Sequence, residues 1–147
     1  MRKPSRMPIG LRLANTAKTV GRAFDDTLAA AGGSSPVWLV LLTLKTQAMA
    51  SQREIAAAVG IQGATLTHHL NGMERDGLIT RTRDPENRRV HQVRLTGQGE
   101  EMFHRLATAA QAHDERLREG FTEDELETLE KLLTRLQANV TAPREGA

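Results

Sequence analysis

Gln62, Ala64, Thr65, Thr67, His68, Asn71 and Arg75 bring amide, hydroxyl, imidazole and guanidinium groups, with one bare methyl, into a single short run. Close behind come Arg81, Arg83, Arg88, Arg89 and Arg94. These groups are hydrogen-bond donors and fixed cations, which is equipment for holding an anion-rich surface rather than for breaking bonds. At about 100° per residue, Ala64, His68, Asn71 and Arg75 share one side of a helix, flanked by Thr65 and Gly72. Leu66, Leu70 and Met73 share the other. The outer side is therefore small and polar at its start and cationic at its end.

Bond-making chemistry has no comparable support. The chain contains no Gly-x-Ser-x-Gly elbow, no phosphate-cradling glycine loop and no carboxylate pair in apolar surroundings. Gly60 and Gly63 are explained by a turn and by close helix packing. An enzyme is not expected, nor is a cofactor. His104 and His113 are nine residues apart, not the i, i+4 spacing that sets two imidazoles on one helix face, so no metal site is expected. The absence of cysteine excludes disulfides, Cys-ligated zinc and thiol redox sensing.

The polar run needs elements to position it. Ser51 followed by Glu54 predicts a capping box, in which the serine oxygen accepts from the Glu54 N–H and the carboxylate returns to the Ser51 N–H. The helix so begun carries Ile55, Ala56 and Val59 and stops at Gly60. A second helix follows within about three residues and carries the polar face. Gly77 is placed to end it as a left-handed C′ residue, with Leu78 making the hydrophobic contact of a Schellman close. Ile79 to Arg83 and Arg89 to Leu95 then read as two strands, separated by the turn Asp84-Pro85-Glu86-Asn87. In the return strand His91, Val93 and Leu95 share one face, and Val90, Gln92 and Arg94 the other. Two helices, a tight turn and a two-stranded ribbon with a basic tip form the pattern of a winged helix-turn-helix. Such a helix suits a major groove, with Gln62 and Thr65 hydrogen bonding and Ala64 meeting a thymine methyl; the ribbon can straddle a phosphate backbone and reach a minor groove. His68 is expected on the DNA side, whereas His69 flanks the inner face and reads as a packed histidine.

The flanks are helical. Residues 1–7 are polar and basic and are expected to form a disordered arm. From about Pro8 to Ala31, the residues Ile9, Leu13, Ala17, Val20, Phe24, Leu28 and Ala31 repeat at spacings of three and four, which predicts a long helix with one apolar stripe. A helix of that length cannot hide its stripe on a winged helix alone. Ser35 is expected to cap, with Pro36 at N1, a helix apolar nearly all round and buried beneath the reading pair. Its Trp38 is a core residue or a pocket wall. Thr96 can cap a fifth helix from about Gly97 to Glu119, with Met102, Phe103, Leu106, Ala110, His113 and Leu117 on its apolar side. Thr122 and Glu125 predict a second capping box, opening a seam of Leu126, Leu129, Leu133, Leu136 and Val140. The expected division is a basic arm over 1–7, an N-terminal dimerisation helix over 8–33, the winged helix-turn-helix over 34–96, C-terminal dimerisation helices over 97–141 and a frayed tail over 142–147.

At 147 residues the chain fits one domain, or a small domain plus an oligomerisation element. Its formal net charge of +2 conceals an asymmetry. Residues 1–22 hold six basic side chains and no acid, while residues 97–140 hold ten acids against five bases. Residues 51–96 hold seven arginines against five acids. Separated cationic and acidic regions suit a protein that turns one face to nucleic acid. No apolar run approaches the ~18 residues of a membrane span, and the N-terminus has no signal-peptide core, so a cytoplasmic protein with no membrane partner is expected.

The segment ATLTHHLNGMERDGLITR resembles the recognition helix and first wing strand of the MarR family of bacterial transcriptional regulators, and DPENRRVHQVRLTGQG resembles that family's wing. The resemblance extends over about Pro8 to Val140. It implies a mainly α fold whose outer helices intertwine two subunits. It also implies a homodimer that binds a pseudo-palindromic double-stranded operator, most often as a repressor. Through it, DNA contact is expected from Gln62, Ala64, Thr65, Thr67, His68, Asn71 and Arg75 on the recognition helix and from Arg81, Arg83, Arg88 and Arg89 on the wing. Arg89 corresponds to the wing-tip arginine that enters the minor groove in such proteins. Asn87 stands where the family often has Asp, and His68 where many relatives have Arg. A small aromatic or anionic effector between the dimer helices and the DNA-binding lobe is a further implication, with Phe24, Trp38, Leu41 and Met102 as the apolar candidates for its pocket. Two other readings remain open on the residues alone: an architectural DNA binder with no ligand response, and a winged-helix module that binds protein.

Overall fold

A computed structural model describes residues 6–144. The expected basic arm over 1–7 falls mostly outside the described residues, as does the end of the expected tail over 142–147. The order is α1 (Ile9–Ala30), α2 (Ser35–Thr46), β1 (Ala50–Ser51), α3 (Gln52–Val59), α4 (Gly63–Arg75), β2 (Ile79–Arg83), β3 (His91–Leu95), α5 (Gly97–Arg118) and α6 (Glu123–Thr141). The fold is mainly helical with one small antiparallel sheet. Two compact units are distinguished, one ending at His113 and one beginning at Asp114.

The first unit is built around leucines that the helical periods bring to one place. Leu28 of α1, Val40, Leu41 and Leu44 of α2, Ile55 of α3 and Leu66, Leu70 and Met73 of α4 are all buried. Ile79 and Val93 close the core from the sheet, and Leu106 of α5 enters it as well. Each such side chain contributes about 1.5–3 kcal/mol by leaving water. At the end of α4, Leu78 N–H donates to the Met73 carbonyl at 2.9 Å and Gly77 N–H to that of Glu74 at 3.0 Å, with Gly77 at φ 76°. This is the expected Schellman close. It turns the chain straight into β2. Thr96 caps α5 as expected, accepting from Gly99 N–H at 3.0 Å, and its hydroxyl also donates to the Gly77 carbonyl.

Several local expectations are corrected. The ribbon has a third strand, because Ala50 pairs with Val93 and Ser51 with Gln92, giving the order β1-β3-β2. Two residues are too short to show an alternating pattern. The box at the start of α3 is half formed: Ser51 Oγ accepts from Glu54 N–H at 3.1 Å, but the carboxylate takes the serine hydroxyl, not the backbone N–H, at 3.1 Å. Ser34, not Ser35, caps α2, accepting from Val37 N–H at 3.4 Å, so Pro36 is one position further in. Ser35 instead donates to Asp25 of α1 at 2.9 Å. The return strand starts at His91 rather than Arg89, since Val90 N–H and C=O are engaged in the turn with Asn87 and Asp84. Nor is α2 buried all round, for Leu39 and Leu42 are each 38% exposed.

On α1 the apolar stripe is covered only towards its end. Leu28 is buried, whereas Ile9 and Leu13 remain 66% and 41% exposed. The second unit is carried by α6, whose Thr122–Glu125 capping box is complete. Leu126 and Leu136 are half-buried there, while Leu129, Leu133 and Val140 are exposed.

Candidate nucleic-acid interface

The reading face of α4 is open. Burial of Leu66, Leu70 and Met73 on one side turns Ala64, Thr65, Thr67, His68, Asn71 and Arg75 outward, all of them exposed. Gln62 is the N-cap but spends no side-chain bond on capping, so its amide is available. Thr67 donates its hydroxyl back to the Gly63 carbonyl at 2.9 Å, leaving the oxygen to accept. His68 is exposed and His69 half-buried, with ring centroids 5.7 Å apart.

The wing tip is held from within. Asp84 accepts from the Glu86 N–H at 2.9 Å and from Gln92 Nε2 at 3.4 Å. The Glu86 N–H is the main reason that the Asp84 carboxyl lies below its ordinary value. Asn87 Oδ1 accepts from the Arg89 N–H at 3.2 Å. The amide at position 87 thus shapes the turn through a backbone bond that needs no charge. Arg83, Arg88 and Arg89 are exposed, and among the described residues their guanidinium groups bond to nothing. Arg94 is turned back onto the Met49 thioether at 3.2 and 3.3 Å. A hollow of about 430 Å³ between the tip and the start of α3 is lined by Gln52, Arg53, Arg89 and His91 among others, with two arginines on its walls.

Arg81 and Asn71 are engaged with each other. Arg81 Nη2 donates to Asn71 Oδ1 at 2.6 Å, while Nε and Nη2 donate to the two Glu74 carboxylate oxygens at 3.3 and 3.1 Å. The Arg81 side chain is 16% exposed. Its hydrogen bond is the main cause holding the Glu74 carboxyl below the ordinary value. Glu74 escaped the sequence reading; the signal was a carboxylate one helical turn after Asn71 and just ahead of a strand arginine.

The four apolar pocket candidates are dispersed. A cavity of about 560 Å³ opens between α4, the start of α2 and α5, and Met102 is the one of the four that lines it. Its other walls include Val37, His68, His69, Met73, Arg75 and Arg105. Leu41 lies in the core, Trp38 stacks on Phe103 with centroids 5.5 Å apart, and Phe24 faces His113. Among the described residues, no group of three or more His, Cys, Asp or Glu side chains is placed to hold a metal ion, and no single helix is long and apolar enough to cross a membrane.

Known proteins share this fold. The sequence model of the MarR family matches residues 34–91. An uncharacterized HTH-type transcriptional regulator of Bacillus subtilis (strain 168), YdgJ, is 32% identical over 124 residues, covering 84% of this chain and 73% of that protein. Among solved structures, the transcriptional repressor CouR bound to a 23-mer DNA duplex matches with TM-score 0.79 and 29% identity, over 88% of this chain and 92% of CouR. A mutant of E. coli MarR complexed with operator DNA matches with TM-score 0.78 and 22% identity, over 88% of this chain and 94% of its own.

Proposed function

The chain belongs to the MarR family of DNA-binding transcriptional regulators, and from that premise we propose that it is a cytoplasmic homodimer that represses transcription at a specific operator and is released by a small ligand. The observation that carries the reading is the exposed polar face of α4 beside a wing tip with three uncommitted arginines, Arg83, Arg88 and Arg89. Base edges meet Gln62, Ala64, Thr65 and His68, and the wing arginines take phosphates and the minor groove. Asn71 and Arg81 position these groups.

Dimerisation is supported by the uncovered apolar positions of α1 and α6, such as Ile9, Leu13, Leu129 and Leu133. A two-fold dimer places its reading helices about 34 Å apart, so the operator is a pseudo-palindrome. Release by a ligand is supported by the cavity between α4 and α5, whose volume is that of small-molecule sites. Its lining mixes Arg75, Arg105 and two histidines with the carboxylates of Asp76 and Glu101, which suits a polar group, and Met73, Met102 and Val37 suit an apolar body. The ligand relieves repression only by binding the DNA-incompetent arrangement more tightly.

Fluorescence anisotropy on the duplex upstream of the protein's own gene, against a scrambled duplex and across a salt series, tests the reading. Sequence-dependent binding with a steep salt slope is expected. Equal binding to both duplexes would instead indicate an architectural protein, and negligible binding to either a protein-binding module.

A further inference from the structure

We propose that Arg81 is a positioning residue, which with Glu74 and Asn71 clamps the wing to the reading helix so that both meet DNA as one body. The clamp rests on the DNA-binding reading above and assigns Arg81 and Asn71 a role within it. Arg81 sits mid-strand in β2, opposite the buried Val93, so its backbone is fixed from the core side. Its side chain crosses to α4, where one planar fork takes both Glu74 oxygens and the Asn71 amide oxygen. Bidentate geometry restrains rotation as well as distance. The covalent link between α4 and β2 is only Asp76-Gly77-Leu78, with Gly77 in the left-handed region. Three side-chain bonds from the strand to the helix brace that short joint.

The clamp lies where leverage is greatest. Beyond Arg81 the ribbon leaves the core, its last pair being Arg83 with His91. At no more than about 3.3 Å per residue the tip lies up to about 15 Å further out, so a tilt of about 10° at the base displaces it by up to about 2.5 Å. Such a shift breaks a phosphate hydrogen bond. Electrostatics point the same way. Glu74 is an exposed carboxylate on the reading helix, where on its own it would repel phosphates. Paired with Arg81 it is neutralised, and Arg81 is withdrawn from the DNA in the same contact.

Arg81→Met and Glu74→Gln, compared with Arg89→Ala, test the proposal in the full-length protein through operator affinity, its salt slope and hydrogen exchange of the wing amides. Both clamp variants should lose affinity about tenfold, within the range of coupling inside one hydrogen-bond network. Their salt slopes should stay at the wild-type value while Arg89→Ala lowers it by about one. Exchange in β2 and β3 should quicken with α2 unchanged. Glu74→Gln is the sharpest arm, because removing an anion near DNA strengthens binding unless the anion has another task. Binding as tight as wild type or tighter in Glu74→Gln would overturn the clamp, as would a slope lowered by about one in Arg81→Met. Should the wild-type protein fail to distinguish operator from scrambled DNA, the repressor reading falls. The exchange data then decide the clamp alone, faster wing exchange supporting it and unchanged exchange overturning it.

Discussion

The imidazole of His113 lies against the ring of Phe24, centroids 5.2 Å apart, and among the described residues neither of its nitrogens has a hydrogen-bond partner. His113 is only 8% exposed, on the apolar side of α5 where its period places it. A buried polar group left without a partner costs about 1–3 kcal/mol. His113→Leu, close in volume, should therefore stabilise the fold by roughly that much. Urea unfolding at fixed protein concentration measures it; a lower midpoint in the variant would mean that the ring nitrogens are satisfied in solution.

A second stability test concerns close approach. A methyl group at Gly99 would collide with the backbone carbonyl oxygen of Leu78, at the point where α5 crosses the residue before β2. Gly97, two residues earlier, has open space. Gly99→Ala should cost about 1–3 kcal/mol or more, as overpacking of a fixed neighbour does, while Gly97→Ala should change little. Equal melting temperatures for the two variants would refute the packing argument.

What was legible in the sequence follows from how far each interaction reaches. The close at Gly77 needs only residues 73–78 and is legible in them, as are the box at Thr122 and the cap at Thr96. The serine pair Ser34 and Ser35 was ambiguous by one position, because either can cap ahead of Pro36. Strand β1 was invisible: it exists because β3 offers an edge, not because Ala-Ser favours extension. The Arg81 contacts and the cavity beside Met102 were equally hidden, since each depends on how α4 meets another element. Composition marked the arginines as cations; only tertiary structure shows which are committed within the protein.

That distinction predicts a difference between two wing arginines. Arg89 is exposed at the tip, whereas Arg94 is folded back onto Met49. Arg89→Ala should weaken binding to operator and scrambled duplex alike and lower the salt slope by about one. Arg94→Ala should leave the slope unchanged. Anisotropy titrations at several salt concentrations separate the two, and a lowered slope in Arg94→Ala would show that its contact with Met49 gives way to phosphate.

Acid should loosen the wing with a definite sign. The Asp84 carboxyl is held below its ordinary value chiefly by the Glu86 N–H. A depressed folded value contributes stability that is complete above the unfolded value, about 3.9 for Asp, and is lost as pH falls through the folded value. Turn order should thus be constant from neutral pH to about 4 and fail below it. Glu74, lowered by Arg81 from 4.5, follows the same sign. The amide chemical shift of Glu86 reports the transition, and a midpoint at or above the ordinary Asp value would contradict it.

His68 decides whether α4 reads sequence. It stands exposed at the second turn of the helix, on the face shared with Ala64 and Asn71. A neutral imidazole presents one donor and one acceptor, and a protonated one presents two donors. Its preferred base edge therefore changes with protonation, unlike that of arginine, which always donates. His68→Ala should relax base preference at one operator position per half-site, at a cost of about 1–3 kcal/mol for the favoured base. His68→Arg should shift the preference at that position towards guanine. Binding to operators randomised at single positions gives the answer. If neither variant alters the preferred bases while both alter overall affinity, α4 contributes positioning alone and the sequence is read through DNA shape and the wing.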